Sequence, residues 1–256
     1  MHTIPDIVFA MQTFTDSVHT ALQLITSLEP ALLSIVGRSL SVSATACALA
    51  CGLGLVLGAW LGVARFAGRD AVLTVLNTLL AVPSVVVGLV VYLLLSRTGP
   101  LGHLGWLFSF KAMVLAQALL VLPVVTALTR QAVEDAERSN GEQLRSLGAS
   151  PLFRSLLLAW DERYALLTVL IASFGRAISE VGAVMVVGGN IDGFTRVMTT
   201  AIALETSKGD LPLALALGLI LLGVVLLLNA VVSLLKRWRE RADGNVGIQL
   251  PLQGAL

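Results

Sequence analysis

"EQLRSLGASPLFRSLLLAWDERY", residues 142–164, carries Glu142, Arg145, Arg154, Asp161, Glu162 and Arg163, with Gly148 and Pro151 between them. On either side the charge thins out. Residues 112–129 hold no Asp, Glu, Lys or Arg, and 164–191 hold only Arg176 and Glu180. A charged island between two stretches of membrane-crossing length decides the class. A bilayer core needs about 20 apolar residues in a helix, and a loop between two such helices lies in water.

The rest of the chain agrees. Apolar residues make up 56% and charged residues 13%, half the share expected of a soluble domain, and the mean hydropathy is +0.88. Three more runs, 39–64, 71–96 and 211–235, are free of Asp, Glu, Lys and Arg. With 112–129 and 164–191 they predict five transmembrane helices in an all-α integral membrane protein. Residues 6–28 are only moderately apolar and are interrupted by Asp16, His19 and Gln23. They are expected to form an amphipathic helix lying on the membrane, with a poor membrane-crossing helix as the competing reading. The first basic residue is Arg38, so the basic region of a secretory signal is not expected. The chain divides into an N-terminal interfacial segment (1–34), a membrane domain (35–235) with a polar loop at about 131–162, and a tail (236–256).

Basic residues orient the bundle. If the C-terminus is cytoplasmic, the inner side holds Arg65, Arg69, Arg130, Arg138, Arg145, Arg154, Arg163, Lys236, Arg237, Arg239 and Arg241. The outer side holds Arg38, Arg97, Lys111, Arg196 and Lys208. Eleven against five predicts the N-terminus outside and the C-terminus inside, with residues 142–164 in the cytoplasm.

Within the first span Gly54, Gly58 and Gly62 recur every four residues, a face on which another helix backbone can lie close. Pro83 and Pro123 fall inside the second and third spans, as bundle irregularities or as hinges. Cys47 and Cys51 read as small buried residues. The histidines are scattered, so no metal site is expected.

The fourth span reads "FGRAISEVGAVMVVGGN" over 174–190. On a continuous helix Arg176 and Glu180 share a face, and charges at that depth pair up or line a polar path. Arg176, Ser179, Glu180 and Gly182 are therefore candidates for a pathway or gate, with a structural Arg–Glu pair as the alternative. Gly188, Gly189 and Asn190 end the helix. "TRVMTTAIALETSKGD" (195–210) reads as an external loop or a short amphipathic helix.

The loop at 130–163 predicts helical pieces broken at Gly141, Gly148 and Pro151. Pro151 suits a first helical turn. Composition alone is met by a solvated loop packed on the membrane surface; the alternative is a docking element for a cytoplasmic partner.

The spacing from Glu142 through Arg145 to Gly148-Ala149 resembles the "EAA" loop of ABC-type importer permeases. Two departures stand out: Gln143-Leu144 replace the usual alanines, and "AWDERY" (159–164) stands where the family has Leu-Pro. The segments "GRAISEVGAVMVVGGNI" (175–191), "TRVMTTAIALETSKGD" (195–210), "SVVVGLVVYLLLSRTGPLG" (84–102) and "ITSLEP" (25–30) are similar to the tungstate branch of the tungstate, molybdate and sulfate permeases, over roughly 25–235. The resemblance implies a type I ABC importer permease fold, in the cell membrane of a bacterium or archaeon. It implies an ATPase-docking loop formed by Glu142, Leu144, Leu147, Gly148, Ala149, Ser150 and Pro151. It also implies a cytoplasmic ATP-binding subunit, an extracytoplasmic substrate-binding protein and a second copy of the chain as partners, and no nucleic acid. No G-x-x-x-x-G-K-[ST] loop occurs in the sequence. ATP and Mg would be bound by the partner, leaving this chain without a cofactor and without catalysis. Rival classes are a membrane scaffold and a secondary transporter using Arg176 and Glu180. No internal repeat supports the latter.

Overall fold

The computed structural model describes residue 15 and residues 17–246, and among these residues no strand occurs. A helix over 17–26, α1, is followed by α2 (Pro30–Val63), α3 (Arg69–Ala81), α4 (Ser84–Leu95), α5 (Phe110–Ser146), α6 (Pro151–Asp161), α7 (Arg163–Ile178), α8 (Gly182–Gly188), α9 (Met198–Lys208) and α10 (Leu211–Val246). Three of these are long and apolar enough to cross a membrane: α2, α5 and the Leu211–Leu234 part of α10. The pairs α3–α4 and α7–α8 qualify together, bent by 100° and 56°, and counting each as one span gives five.

Counted in that way they match the five expected runs, but two are not the continuous helices expected over 71–96 and 164–191. The first breaks at Val82 and Pro83, both extended (ψ 127° and 134°). Proline lacks a donor and pushes the residue before it out of the helical region. Pro123, by contrast, sits inside the unbroken α5. The expected break at Gly141 is also absent, since α5 runs through it to Ser146.

The centre of the bundle is α2 against α5. Gly54, Gly58 and Gly62 lie against Val125, Thr126, Thr129 and Val133 of α5, so the predicted small-residue face has its partner. A second cluster joins α4 and α8 to α5 through Val91, Leu95, Ala183, Val184, Val187 and Met113. A third gathers α1, α2, α9 and α10 around Ala21, Ile35, Met198 and Leu217.

The described part of the N-terminal segment is two-sided: Ala21 is buried and Leu22 exposed. Residues 6–14 and 16 of the expected amphipathic helix lie outside the described residues. At the other end α10 continues past Leu234 to Val246, and residues 247–256 of the tail lie outside the described residues.

Candidate functional site

The helix α5 closes with a left-handed residue. Gly148 has φ 76°, its N–H donates to Arg145 O at 2.9 Å, and Ala149 N–H donates to Leu144 O at 3.0 Å. This closure satisfies the last carbonyls of α5 and turns the chain. Ser150 then caps α6, its hydroxyl accepting from Phe153 N–H at 3.3 Å, with Pro151 in the first turn. The predicted docking residues therefore come together at one turn. Glu142, Leu147, Gly148, Ser150 and Pro151 are exposed there, with Leu144 and Ala149 half-buried.

The faces of α6 are unequal. Arg154, Ser155 and Leu158 turn inward, and Leu158 packs with Ala59, Val63, Val133 and Ala136. Leu152, Phe153, Leu156 and Trp160 are exposed, as is Leu147 in the turn before them. Trp160 has Arg163 beside its ring and shares a groove with Leu156, Leu55 and Val56, whereas Leu147, Leu152 and Phe153 form an exposed apolar patch beyond the membrane-crossing part of α5.

Beneath this turn lie two carboxylates, neither singled out by the loop motif. Glu134 bonds Arg69 at 3.2 Å, Arg138 at 3.2 Å and also Arg130. Burial pushes its carboxyl up, but Arg69, Arg130 and Arg138 together outweigh that and hold it below the ordinary value. Arg69 also donates to Leu61 O at the end of α2. Glu137, one turn on, meets Arg145 at 2.9 Å and Arg154 of α6 at 3.5 Å. The signal in the sequence was the spacing of Glu134 and Glu137 on one helix face among arginines.

The second candidate region is the break between α7 and α8. Arg176 and Glu180 were expected on one face of a continuous helix, yet α7 ends at Ile178 and α8 starts at Gly182. No ion pair joins the two. Glu180 instead accepts from Ala183 N–H at 3.1 Å, capping α8. Two side chains from elsewhere bond to carbonyls at the break. Gln117 of α5 donates to Ala177 O at 2.9 Å, and Thr199 of α9 donates to Glu180 O at 2.7 Å. Gly182 lies against Ser84 and Val85 at the start of α4, where a Cβ would come within 2.6 Å of Val85 Cγ2. The freed backbone groups of a broken membrane helix thus find partners within the protein. Arg176 and Ser179 are exposed and Glu180 half-buried, and Arg176, Glu180 and Gln117 line one crevice. Nothing local in the sequence marks Gln117 or Thr199.

At the opposite end Arg38 donates to Gly193 O at 2.7 Å and to Arg196 O at 3.3 Å. Arg196 meets Asp192 at 3.1 Å, and Lys208 meets Glu205 at 3.0 Å. Segment 195–210 forms α9, which buries Met198, Thr199, Thr200 and Ala201. It is a built part of the bundle rather than a bland loop.

The chain is similar to known proteins over most of its length. The pattern of the binding-protein-dependent transport system inner membrane component family fits residues 54–242. The chain is 43% identical over 221 residues to a probable anion ABC transporter permease protein of Haloferax volcanii, covering 84% of this chain and 94% of the relative. It is 41% identical over 226 residues to the tungstate uptake system permease protein TupB of Peptoclostridium acidaminophilum, covering 87% and 97%. To the sulfate transport system permease protein CysW of Escherichia coli it is 31% identical over 202 residues, covering 75% and 68%. With its helical bundle, its broken spans and a family match across most of its length, this chain belongs to the family of binding-protein-dependent transport system inner membrane components.

Proposed function

We propose that this chain is the membrane subunit of an ATP-driven importer for an oxyanion, with tungstate as the substrate. The tungstate permease and the anion permease among its relatives support the anion class. The observation that carries the mechanism is the exposed apolar row of α6 beyond the Gly148 turn. An ATP-binding subunit, holding ATP and Mg, docks on that row and on Glu142, Leu144, Leu147, Gly148, Ala149, Ser150 and Pro151. A substrate-binding protein delivers the anion at the end marked by Arg38 and Arg196. The N-terminus is outside and the C-terminus cytoplasmic. A second copy completes the pathway against the exposed Arg176 and Ser179, a two-fold arrangement of the commonest kind. Substrate affinity resides mainly in the binding protein. Closure of the ATPase pulls on α6, and rigid helices carry the motion to the α7–α8 break.

The test is uptake and pull-down with one set of variants. Phe153→Asp with Leu156→Asp is expected to keep the protein in the membrane, lose the co-purifying ATPase subunit and abolish ATP-dependent tungstate uptake. Retention of a stoichiometric ATPase by that variant would remove α6 as the docking helix. In the wild type, molybdate in excess should compete more weakly than unlabelled tungstate; the reverse order would reassign the substrate within the oxyanions.

Glu180 offers a separate test. Glu180→Ala is expected to lose coupled tungstate uptake or leave it leaky, whereas Glu180→Gln keeps an oxygen for Ala183 N–H and retains the wild-type melting temperature. Normal uptake by Glu180→Ala with only a lowered melting temperature would make Glu180 a structural cap.

A further inference from the structure

The buried pair between α5 and α6 is more specific than docking requires. Glu137 has a side chain only 3% exposed, and Arg154 of α6 reaches it from a side chain 10% exposed. Charges taken out of water at this depth are costly unless paired, and an apolar residue at either position would hold the two helices together without them. Gly141 lies one turn beyond Glu137. A Cβ there would stand 2.6 Å from Glu137 Cδ and 2.9 Å from each carboxylate oxygen. The missing side chain of Gly141 is the space that the carboxylate occupies. Glycine inside a helix is unfavourable relative to alanine, and at Gly141 a methyl would have to push the Glu137 carboxylate out of its present seat. The pairing is also incomplete: Glu137 Oε2 and Arg154 Nε are both buried without a hydrogen-bond partner. Arginine and carboxylate can meet through two parallel bonds, so this pair has a tighter setting open to it when α6 shifts against α5.

We propose that Glu137, seated by Gly141 and engaged by Arg154, is the positioning residue that locks the docking helix to α5 and carries its motion into the membrane bundle. The inference rests on the reading of α6 as the docking helix. Neighbouring Glu134 ties the same stretch of α5 to Arg69, and through Arg69 to the end of α2. One turn of α5 therefore links the docking helix to the α2–α3 connection. Arg145 contributes a third contact, at 2.9 Å, from a side chain that is half exposed.

The test uses the complete transporter, purified with its ATP-hydrolysing subunit and reconstituted in proteoliposomes with the binding protein and tungstate. The readout is tungstate transported per ATP hydrolysed. Glu137→Gln keeps the side chain's shape and removes its charge; Gly141→Ala displaces the carboxylate without touching any charged residue. Both are expected to keep the ATPase subunit bound and to lower the ratio by roughly tenfold, within the usual range of coupling between sites. In a Glu137→Ala background the methyl of Gly141→Ala has room, so it should add no further loss. An unchanged ratio in both single variants, or additive losses in the Glu137→Ala background, would overturn the proposal. Should Glu137→Gln fail to assemble, Gly141→Ala carries the decision alone. Loss of the ATPase from Phe153→Asp with Leu156→Asp, alongside a normal ratio in the Glu137 and Gly141 variants, sinks this inference and leaves the docking surface standing. Retention of the ATPase by the Phe153→Asp, Leu156→Asp variant sinks the docking surface itself.

Discussion

Gly58→Leu is expected to leave almost no folded protein in the membrane. At this position α2 crosses α5 backbone to backbone. A Cβ on Gly58 would fall 2.6 Å from Thr126 O, 2.6 Å from Thr129 Cβ and 3.0 Å from Arg130 N. Two of these atoms are backbone, so no side-chain rotation relieves the clash and the helices themselves must separate. Overpacking a core costs about 1–3 kcal/mol where side chains can adjust, and more where they cannot. Separation also strips Gly54 and Gly62 from the side chains of Val125 and Val133, which stand 2.9 Å from a Cβ in each case. Close approach and van der Waals packing are what hold membrane helices together. Gly52→Leu is the control, since nothing stands within 4 Å of a Cβ there. Membrane-inserted yield and the melting temperature in detergent are the measurements. Equal values for Gly58→Leu and Gly52→Leu would remove the α2–α5 contact as the centre of the bundle.

The second large effect is predicted at Gly148, and it is functional rather than structural. Gly148 holds φ 76° at the end of α5, with open space where a Cβ would be. A larger residue therefore meets no clash, only the backbone conformation. For an L-residue the left-handed region costs about 1–2 kcal/mol, and a β-branched side chain fares worst there. Gly148→Val is expected to shift the turn to other geometries, which re-aims α6 and its exposed Leu152, Phe153 and Leu156. Tungstate uptake should fall by roughly tenfold or more, following the conversion of about 1.4 kcal/mol per decade. The protein should still reach the membrane. Gly148→Asn should keep most of the uptake, because asparagine tolerates this region. If valine transports as well as asparagine, the geometry of the turn is not what couples the two subunits.

Much of this site could be read from the order of residues because its chemistry is local. Gly148, Ser150 and Pro151 specify a stop, a cap and a start within four positions, and the structure places each in that role. The pathway candidates were legible only as residue types. Arg176 and Glu180 stand out in an apolar span, but their relation depends on whether the helix runs on. It does not: Ala177 O accepts from Glu180 N–H and from Gln117, and Glu180 O accepts from Thr199. Gln117 and Thr199 come from 60 residues before Ala177 and 19 residues after Glu180, distances over which no local pattern operates.

A helical membrane protein, its charged loop and the small-residue face of α2 follow from the order of residues alone. Transfer of side chains from water to lipid is a property of each residue and sums along the chain, so the order of residues suffices for it. Which punctuation breaks a helix depends on the packed fold. Pro83 ends α3 while Pro123 stays within α5, and Gly148 turns the chain while Gly141 stays inside α5 beside the Glu137 carboxylate. A proline or glycine frees backbone groups or space, and whether the helix then bends is settled by what arrives from the rest of the fold to use them.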